Sequence, residues 1–314
     1  MSDKIATREA YGLALAEFGA QYENIIVLDA DLSKSTKTEE FKKKFPERFI
    51  NMGISESDMM ATAAGIATTG KIVFASTFAI FAAGRAFEQV RNSIAYPRLN
   101  VKIGATHAGI TVGEDGGSHQ AVEDIALMRA VPNMVVISPA DAVESRAAVK
   151  AAIEYDGPVY LRFGRLAVPV IYDKANYVFE MGKGVETAPG NDIAIIATGM
   201  MVGSALEARQ KLSQEGINAR VIDIHTIKPI DKDIIVKAAE ETGAVLTVEE
   251  HVVNGGLGSA VAEVLSEYRP TIMKRMGLYD QFGQSGKPDD LLKLYKLTPD
   301  DIAYEAKALL QRKP

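Results

Sequence analysis

The sequence predicts an α/β protein of two domains, each with a mainly parallel sheet and flanking helices. Short apolar runs typical of buried strands alternate with helix-length segments between residues 25 and 163, and the alternation restarts at residue 193. Between the two series, residues 166–191 show little periodicity and contain two prolines. The length of 314 residues also suits about two domains. We therefore expect a first domain at 1–170, a linker at 171–190 and a second domain at 191–314.

The first domain is predicted to open with a helix capped by Thr7, because a threonine hydroxyl can accept a hydrogen bond from a free amide at a helix start. Ser55 is expected to cap another helix, and Pro97 to end a third. The predicted strands are 25–28, 49–51, 71–76, 101–105, 134–138 and 158–163. The predicted helices are 7–21, 56–69, 81–96, 120–130 and 142–155.

The second domain is predicted to be a smaller unit of the same kind, since strands and helices again alternate. Its predicted strands are 193–198, 219–224, 244–249 and 271–275. Its predicted helices are 204–215, 233–242, 258–268 and 300–311.

Composition argues against several classes of protein. The net charge is −6 and no block of basic residues stands out, so nucleic acid is not an expected partner. The chain has no cysteine, which excludes disulfides and thiolate metal sites. No apolar run approaches the ~20 residues that a membrane-spanning helix needs, so no membrane association is expected. Residues 1–12 lack the apolar core of a signal peptide, which favours a cytoplasmic location.

The segment 104–123 carries side chains suited to chemistry. It holds two of the four histidines, His107 and His119, with Glu114, Asp115 and four glycines between them. A strand is predicted before it and a helix after it. It is therefore expected to be a long loop at the sheet edge where open α/β sheets bind ligands. Imidazoles and carboxylates there can bind polar oxygens and transfer protons.

Other kinds of site are not favoured. The two histidines of this loop could bind a metal together with Asp115, but their spacing matches no short metal motif, so no metal site is predicted. The chain has no G-x-S-x-G turn and no cysteine nucleophile for a hydrolytic triad. The Gly-rich turn 254–258 lacks the G-x-G-x-x-G spacing of a dinucleotide site. His225 and His251 are interpreted as structural or interface residues.

Glu56 begins a helix that is otherwise rich in alanine, methionine and isoleucine. A carboxylate at a helix start is usually a cap or a dipole partner. If it is buried, it can instead share a proton with a heteroaromatic ring. Phe78 and Phe81 lie on the next strand and the approach to its helix, where one of them could stack on such a ring. Pattern alone favours the interpretation that both are core residues.

Four segments of the chain together resemble the transketolase family. The most specific is the motif GEDGGSHQ-x-VE at 113–123, which distinguishes transketolases from their relatives. The resemblance implies a thiamine-diphosphate-binding pyrimidine domain followed by a transketolase C-terminal domain. The matching segments are RFINMGISESDMMATAAGIA, VFASTFAIF, THAGITVGEDGGSHQAVEDIALMRAVPNM and VLTVEEHVVNGGLGSAV.

The resemblance also implies a missing partner. Full-length transketolases carry a further domain that holds the cofactor diphosphate and magnesium, or a similar divalent ion, through a G-D-G…N motif, and this chain shows no such motif. The chain thus looks like the C-terminal half of a split transketolase, active only with an N-terminal subunit in an α2β2 assembly. The implied reaction transfers a two-carbon ketol unit between sugar phosphates, from xylulose 5-phosphate to an aldose phosphate.

Family roles at the cofactor are implied for five positions. Glu56 matches the catalytic glutamate that contacts the ring nitrogen of the aminopyrimidine. Phe81 matches the aromatic residue that stacks on that ring, with Phe78 beside it. Asp31 and Leu32 match residues that line the cofactor cleft.

Family roles at the substrate are implied for six positions. One group matches the residues that bind the sugar phosphate. Asp115 matches the residue that recognises a substrate hydroxyl. His119 matches the catalytic histidine near the reacting carbonyl, where it could stabilise developing negative charge. The four residues matched to sugar-phosphate binding are Arg8, Ser35, His107 and Arg165.

The sequence departs from the family at two places, and alternatives remain open. Transketolases commonly have tyrosine where Gly84 stands, and the following RAFEQ is closer to deoxyxylulose-phosphate synthases. Either Phe78 or Phe81 could stack on the pyrimidine, and Arg162 competes with Arg165 for the phosphate. The alternative functions are a deoxyxylulose-phosphate synthase-like half, a 2-oxoacid dehydrogenase beta subunit, and a noncatalytic structural subunit.

Overall fold

The apolar runs form the strands of three sheets in the computed structural model of the chain, which describes residues 3–313. None of the helices in this range is long and apolar enough to cross a membrane. The strands are β1 (Lys4–Ala6), β2 (Ile25–Asp29), β3 (Phe49–Asn51), β4 (Ile72–Phe78), β5 (Val101–Thr106), β6 (Val135–Ile137), β7 (Val159–Arg162), β8 (Ala167–Pro169), β9 (Val185–Ala188), β10 (Ile193–Ala197), β11 (Ala219–Asp223), β12 (Thr226–Lys228), β13 (Ala244–Val252) and β14 (Ile272–Leu278).

The helices pack on the two larger sheets. They are α1 (Thr7–Phe18), α2 (Ser33–Thr36), α3 (Glu39–Lys44), α4 (Glu56–Ala67), α5 (Phe87–Gln89), α6 (Asp124–Ala130), α7 (Ala142–Glu154), α8 (Met201–Gln214), α9 (Lys232–Thr242), α10 (Leu257–Tyr268), α11 (Pro288–Leu294) and α12 (Pro299–Leu310).

The first sheet has the strand order β12-β6-β7-β5-β4-β2-β3. All neighbouring strands are parallel except β12, which pairs antiparallel with β6 and places Thr226 opposite Ile137. Strand β12 follows β11 of the second sheet in the chain. The second half of the chain therefore supplies an edge strand to the first sheet.

The second sheet has the order β14-β13-β10-β11-β9, and only β9 is antiparallel to its neighbour. Strand β9 lies within the segment 171–190 that was expected to be a linker. A small third sheet pairs β1 with β8 and places Lys4 opposite Pro169. Two mainly parallel sheets with flanking helices confirm the predicted fold class.

The structure differs from the predicted elements in the first domain. The helix expected at 81–96 contains two π-helical turns, Phe81–Arg85 and Val90–Ala95. The helix expected from Gln120 begins only at Asp124, because residues before it make contacts with other parts of the chain. Thr7 lies inside α1 rather than capping it, and its hydroxyl accepts a hydrogen bond from the amide of Gly164 at 2.8 Å. Ser55 precedes α4 without a side-chain capping bond.

Buried acids and tyrosines join α7, the segment after β8, and β11. The Tyr172 hydroxyl donates to Asp223 at 2.7 Å, and the Tyr177 hydroxyl donates to Glu144. Asp141 accepts from the amides of residues 144, 171 and 172. Burial, followed by the charge of Asp223, raises the pKa of Glu144 well above its ordinary value. Burial raises the pKa of Asp223 to about 7.

This acid pair predicts a pH-dependent stability. The pKa of Asp223 is raised from 3.8 to about 7, so the folded protein holds a proton that the unfolded chain releases between these values. The contribution of this proton to the stability of the fold is complete below pH 3.8 and is lost as the pH rises through about 7. We expect Asp223→Asn, which can keep the hydrogen bond from Tyr172 without the charge, to raise the melting temperature at about pH 8 more than at about pH 5. The exposed Asp233→Asn should shift both melting temperatures equally. Parallel profiles for wild type and Asp223→Asn would contradict this expectation.

Candidate active site

The predicted site residues lie at the carboxyl edge of the first sheet. Strands β2, β4 and β5 end there, at Asp29, Phe78 and Thr106, and helix α4 begins nearby at Glu56. Carboxyl ends of parallel strands meet at one edge, so residues far apart in sequence come together. The loop after β5 adds its histidines to this edge.

Glu56 is buried at the start of α4, with 2% of its side chain exposed. The helix packs Met59, Met60 and Ala63 into the core, which fixes its first turn against the sheet edge. The Arg85 guanidinium lies 2.8 Å from the Glu56 carboxylate, and 49% of the Arg85 side chain is exposed. Sequence reasoning did not find Arg85. The RAFEQ segment was the only sequence signal for Arg85. The short distance from Arg85 to Glu56 depends on the π-helical turn that ends at Arg85, and periodicity does not predict such a turn.

Four rings form one aromatic cluster. Phe78 stacks on His107 with centroids 3.9 Å apart and on Phe81 at 6.0 Å. His119 meets the Phe81 ring edge-on at 5.4 Å. Phe78 is only 7% exposed, whereas Phe81 is partly exposed and has the Arg85 guanidinium 4.3 Å from its centroid. Phe81 is therefore the more accessible of the two phenylalanines to a stacking ligand.

The contacts of His107 fit a neutral imidazole. Its Nδ1 is 2.9 Å from the Thr106 hydroxyl, and its Nε2 is 3.4 Å from an Arg8 nitrogen. Burial, and then the charges of Arg8 and Arg165, lower the pKa of His107 to about 3. Because arginine only donates, the geometry makes Nε2 the acceptor and Nδ1–H the donor. The positive charge at this corner therefore comes from the arginines.

Arg8 and Arg165 flank His107 at this corner. Arg8 donates to the backbone carbonyl of Ser35 at 2.7 Å, so Ser35 contributes its main chain here. The Nε of Arg8 is buried without a hydrogen-bond partner, and burial lowers the pKa of Arg8. Arg165 donates to the carbonyl of Val112 and lies 3.6 Å from the Glu114 carboxylate. An unpartnered guanidinium nitrogen beside a second arginine suits an anionic ligand.

Asp31 and Leu32 follow β2 in a tightly bonded turn. Asp31 has a positive φ of 64° and exchanges two hydrogen bonds with Asn51, at 3.1 and 2.9 Å. The Leu32 amide donates to Asp29 at 2.6 Å, and two threonine hydroxyls also donate to that carboxylate. Asp29 is fully buried, and burial raises its pKa. Sequence reasoning missed Asp29, although a carboxylate ending an apolar strand was a usable signal.

Asp115 is exposed on the long loop, and His119 is partly buried beside the phenylalanines. Arg162 ends β7 at the same edge, but its side chain does not join this group of residues. It is buried in an ion pair with Asp124 at 2.9 Å. Arg165 is therefore the arginine that lies near Arg8 and the other residues predicted to bind the sugar phosphate. Residues 3–313 contain no group of three or more histidine or acidic side chains placed to hold a metal ion.

His225 and His251 both form local hydrogen bonds. The Nδ1 of His225 is 2.8 Å from the Thr226 hydroxyl, and burial lowers the pKa of His225 to about 4. His251 donates to the carbonyl of Val252 at 2.6 Å and accepts from the amide of Ala126 at 3.3 Å. Both therefore have structural partners.

The chain matches two domain families. The transketolase pyrimidine binding domain matches residues 3–170, and the transketolase C-terminal domain matches residues 182–302. The chain belongs to the transketolase family. The predicted resemblance is thereby confirmed, and membership places the chain among thiamine diphosphate-dependent proteins.

Relatives of similar length are sections or subunits of transketolases. A putative transketolase C-terminal section from Methanocaldococcus jannaschii is 54% identical over 94% of this chain and 93% of its own length. A 6-deoxy-6-sulfo-D-fructose transketolase subunit from Clostridium sp. MSTE9 is 40% identical over 98% and 95%. Human transketolase is 40% identical, and the match covers 99% of this chain but 50% of the human protein.

A solved structure of a split-gene transketolase, an inactive β4 tetramer, superposes with a TM-score of 0.93. It is 56% identical and covers 99% of this chain and 100% of its own. The present chain is therefore the C-terminal section of a split transketolase.

We predict that His107 stays neutral well below pH 7. The ¹⁵N shifts of its imidazole should show no protonation between about pH 8 and pH 5, because burial and two arginines oppose the charged form. Arg8→Met should raise the pKa of His107 toward 6.5, whereas Lys34→Gln, which removes an exposed charge, should not. A His107 that titrates near 6.5 in the wild-type chain would contradict the geometry.

Proposed function

We propose that this chain is the C-terminal subunit of a transketolase that moves a two-carbon ketol unit between sugar phosphates. Xylulose 5-phosphate is the proposed donor and an aldose phosphate the acceptor. One observation carries the proposal. The stacked series Phe81–Phe78–His107 joins a buried carboxylate, Glu56, at one end to an arginine pair at the other.

The Glu56 end has the groups that an aminopyrimidine needs. A carboxyl group can donate a proton to a ring nitrogen or accept a hydrogen bond from the protonated ring nitrogen, and the partly exposed Phe81 offers a flat face. Asp31 and Leu32 form the adjoining wall. Bound thiamine diphosphate would supply the carbon nucleophile for the ketose carbonyl. Glu56 would hold the proton shared with the ring nitrogen, and the surrounding apolar residues would exclude water.

The arginine end has the groups that a sugar phosphate needs. Arg8 has a buried nitrogen without a partner, and Arg165 adds a second positive charge. His107, being neutral, would offer a hydrogen bond rather than a charge. Asp115 would accept a hydrogen bond from a substrate hydroxyl. His119, beside Phe81, would donate to the oxygen that becomes negative.

The cofactor diphosphate and its magnesium, or a similar divalent ion, are assigned to an N-terminal partner subunit. The half-length match to human transketolase supports this division, as do the relatives described as a section and a subunit. The proposed assembly is α2β2. The inactive β4 form of the similar split-gene protein supports a C-terminal chain that self-associates but needs its partner for activity.

The relative that acts on a sulfo-sugar shows that substrates differ within these subunits. Arg8 and Arg165 suit any anionic group at the end of the sugar, so they do not by themselves select one donor sugar. A deoxyxylulose-phosphate synthase-like half or a 2-oxoacid dehydrogenase beta subunit would instead consume pyruvate or another 2-oxoacid. A noncatalytic subunit would tolerate the loss of Glu56.

The central test is Glu56→Gln in the complex with the partner. The tagged chain should first co-purify with a polypeptide that carries the G-D-G…N motif. With xylulose 5-phosphate and ribose 5-phosphate, the variant should lose roughly 10²-fold or more in kcat, because the amide cannot share a proton. Asp58→Asn, an exposed acid in the same helical turn, is the matched control. Turnover of pyruvate alone, or an active Glu56→Gln complex, would overturn the assignment.

The isolated chain should bind thiamine diphosphate weakly and without magnesium dependence. The proposed residues contact only the ring end of the cofactor, and its charged end is assigned to the partner. Calorimetry of the chain alone and of the complex measures this directly. Tight, magnesium-dependent binding by the chain alone would contradict the division of the site.

A further inference from the structure

The loop that carries Asp115 and His119 is held by the second domain at two points. The first is Glu250 on β13, which is buried and accepts a hydrogen bond from the Thr111 amide at 2.6 Å. A β-carbon on Gly109 would overlap the Glu250 carboxylate, so the glycine permits this approach. The start of the loop therefore rests on a side chain of the second sheet.

The second point is residues 283–286, which we call the buttress loop. The side-chain amide of Gln120 donates to the backbone carbonyl of Gln284 at 2.9 Å and to a carbonyl of its own loop at 3.0 Å. The Ser285 hydroxyl donates to the carbonyl of Glu114 at 2.7 Å. Gln120 is buried, so its bonds are shielded from water.

Glycines on both sides bring the two loops into contact. A β-carbon on Gly117 would lie 2.7 Å from the carbonyl oxygen of Gly283, and one on Gly283 would overlap the Gln120 amide. Gly283 does not have a positive φ, so its backbone would accept another residue. The close approach, rather than backbone geometry, is what requires glycine at this position.

The bonded residues bracket the site residues directly. Asp115 follows Glu114, and His119 precedes Gln120. We propose that the buttress loop is a positioning element that sets Asp115 and His119 against the sugar, acting through Gln120 and the Glu114 carbonyl. The roles of Asp115 and His119 rest on the proposed function. The second domain thus takes part in substrate recognition through its contact with the first.

Gly283→Ala tests the proposal from the second domain. The new methyl group should displace Gln120 and raise hydrogen exchange of the backbone amides in segment 113–120 of the full chain. In the complex with the partner, we expect kcat/KM for xylulose 5-phosphate to fall about tenfold or more, because small misplacements cost this much. Thiamine diphosphate affinity should stay within about twofold of wild type, since Glu56 and Phe81, which are proposed to hold its ring, are carried by α4 and by the segment after β4 rather than by this loop.

Three further variants control for folding and specificity. Ser285→Ala removes one hydroxyl without adding bulk, and Ser285→Thr keeps the hydroxyl and should retain wild-type exchange and kinetics. The Gln284 side chain is exposed and only its backbone carbonyl is used, so Gln284→Ala should also behave as wild type. If Gly283→Ala fails to fold, Ser285→Ala decides the matter by the same exchange measurement.

Unchanged exchange in Gly283→Ala and Ser285→Ala would overturn the proposal. So would a loss of sugar affinity matched by an equal loss of cofactor affinity, which indicates general damage. The exchange measurement needs neither partner nor substrate. A wild-type complex without ketol transfer would refute the proposed function and with it the role in sugar recognition, while the exchange result would still report whether the buttress loop holds the segment.

Discussion

A buried ionic network between the two domains is the interaction on which the site depends. Arg162 pairs with Asp124 and donates to the backbone carbonyl of Glu250, whose carboxylate holds the amide of Thr111. The strand β7, the start of α6 and the strand β13 therefore meet at one guanidinium. Removing one partner of such a pair leaves an uncompensated buried charge and typically costs about 3–5 kcal/mol. The loop that carries Asp115 and His119 has this network at its base.

The neighbours of Glu250 extend the same arrangement. Three consecutive residues of β13 are polar and buried, and each has a separate task. Glu249 accepts the amides of Leu257 and Gly258 and so caps the start of α10. Glu250 holds the loop, and His251 accepts the amide of Ala126 on α6. Burying three such groups is costly unless each finds partners, and the structure gives each of them hydrogen bonds.

Sequence periodicity was enough to predict the fold class and most strands, because parallel strands that are buried on both faces have apolar sequences. The transketolase motifs were enough for the family. Periodicity could not predict that the strand β12 joins the sheet of the other domain. It also could not predict the late start of α6, since the preceding Gln120 bonds the distant carbonyl of Gln284. It also missed Arg85, because a π-helical turn shifts the side chain away from the position that a regular helix would give. Asp29 and Gln120 act through long-range hydrogen bonds that leave no local pattern.

The edge strand β12 has a consequence for how this chain can be divided. Strand β12 closes one side of the first sheet with residues from the second half of the chain. Glu250 and the buttress loop, also from the second half, hold the loop that carries Asp115 and His119. A break near residue 175 would remove both supports at once. The two domains therefore form one structural unit that should not tolerate division between them, even though split transketolases tolerate a gene boundary before the pyrimidine-binding domain.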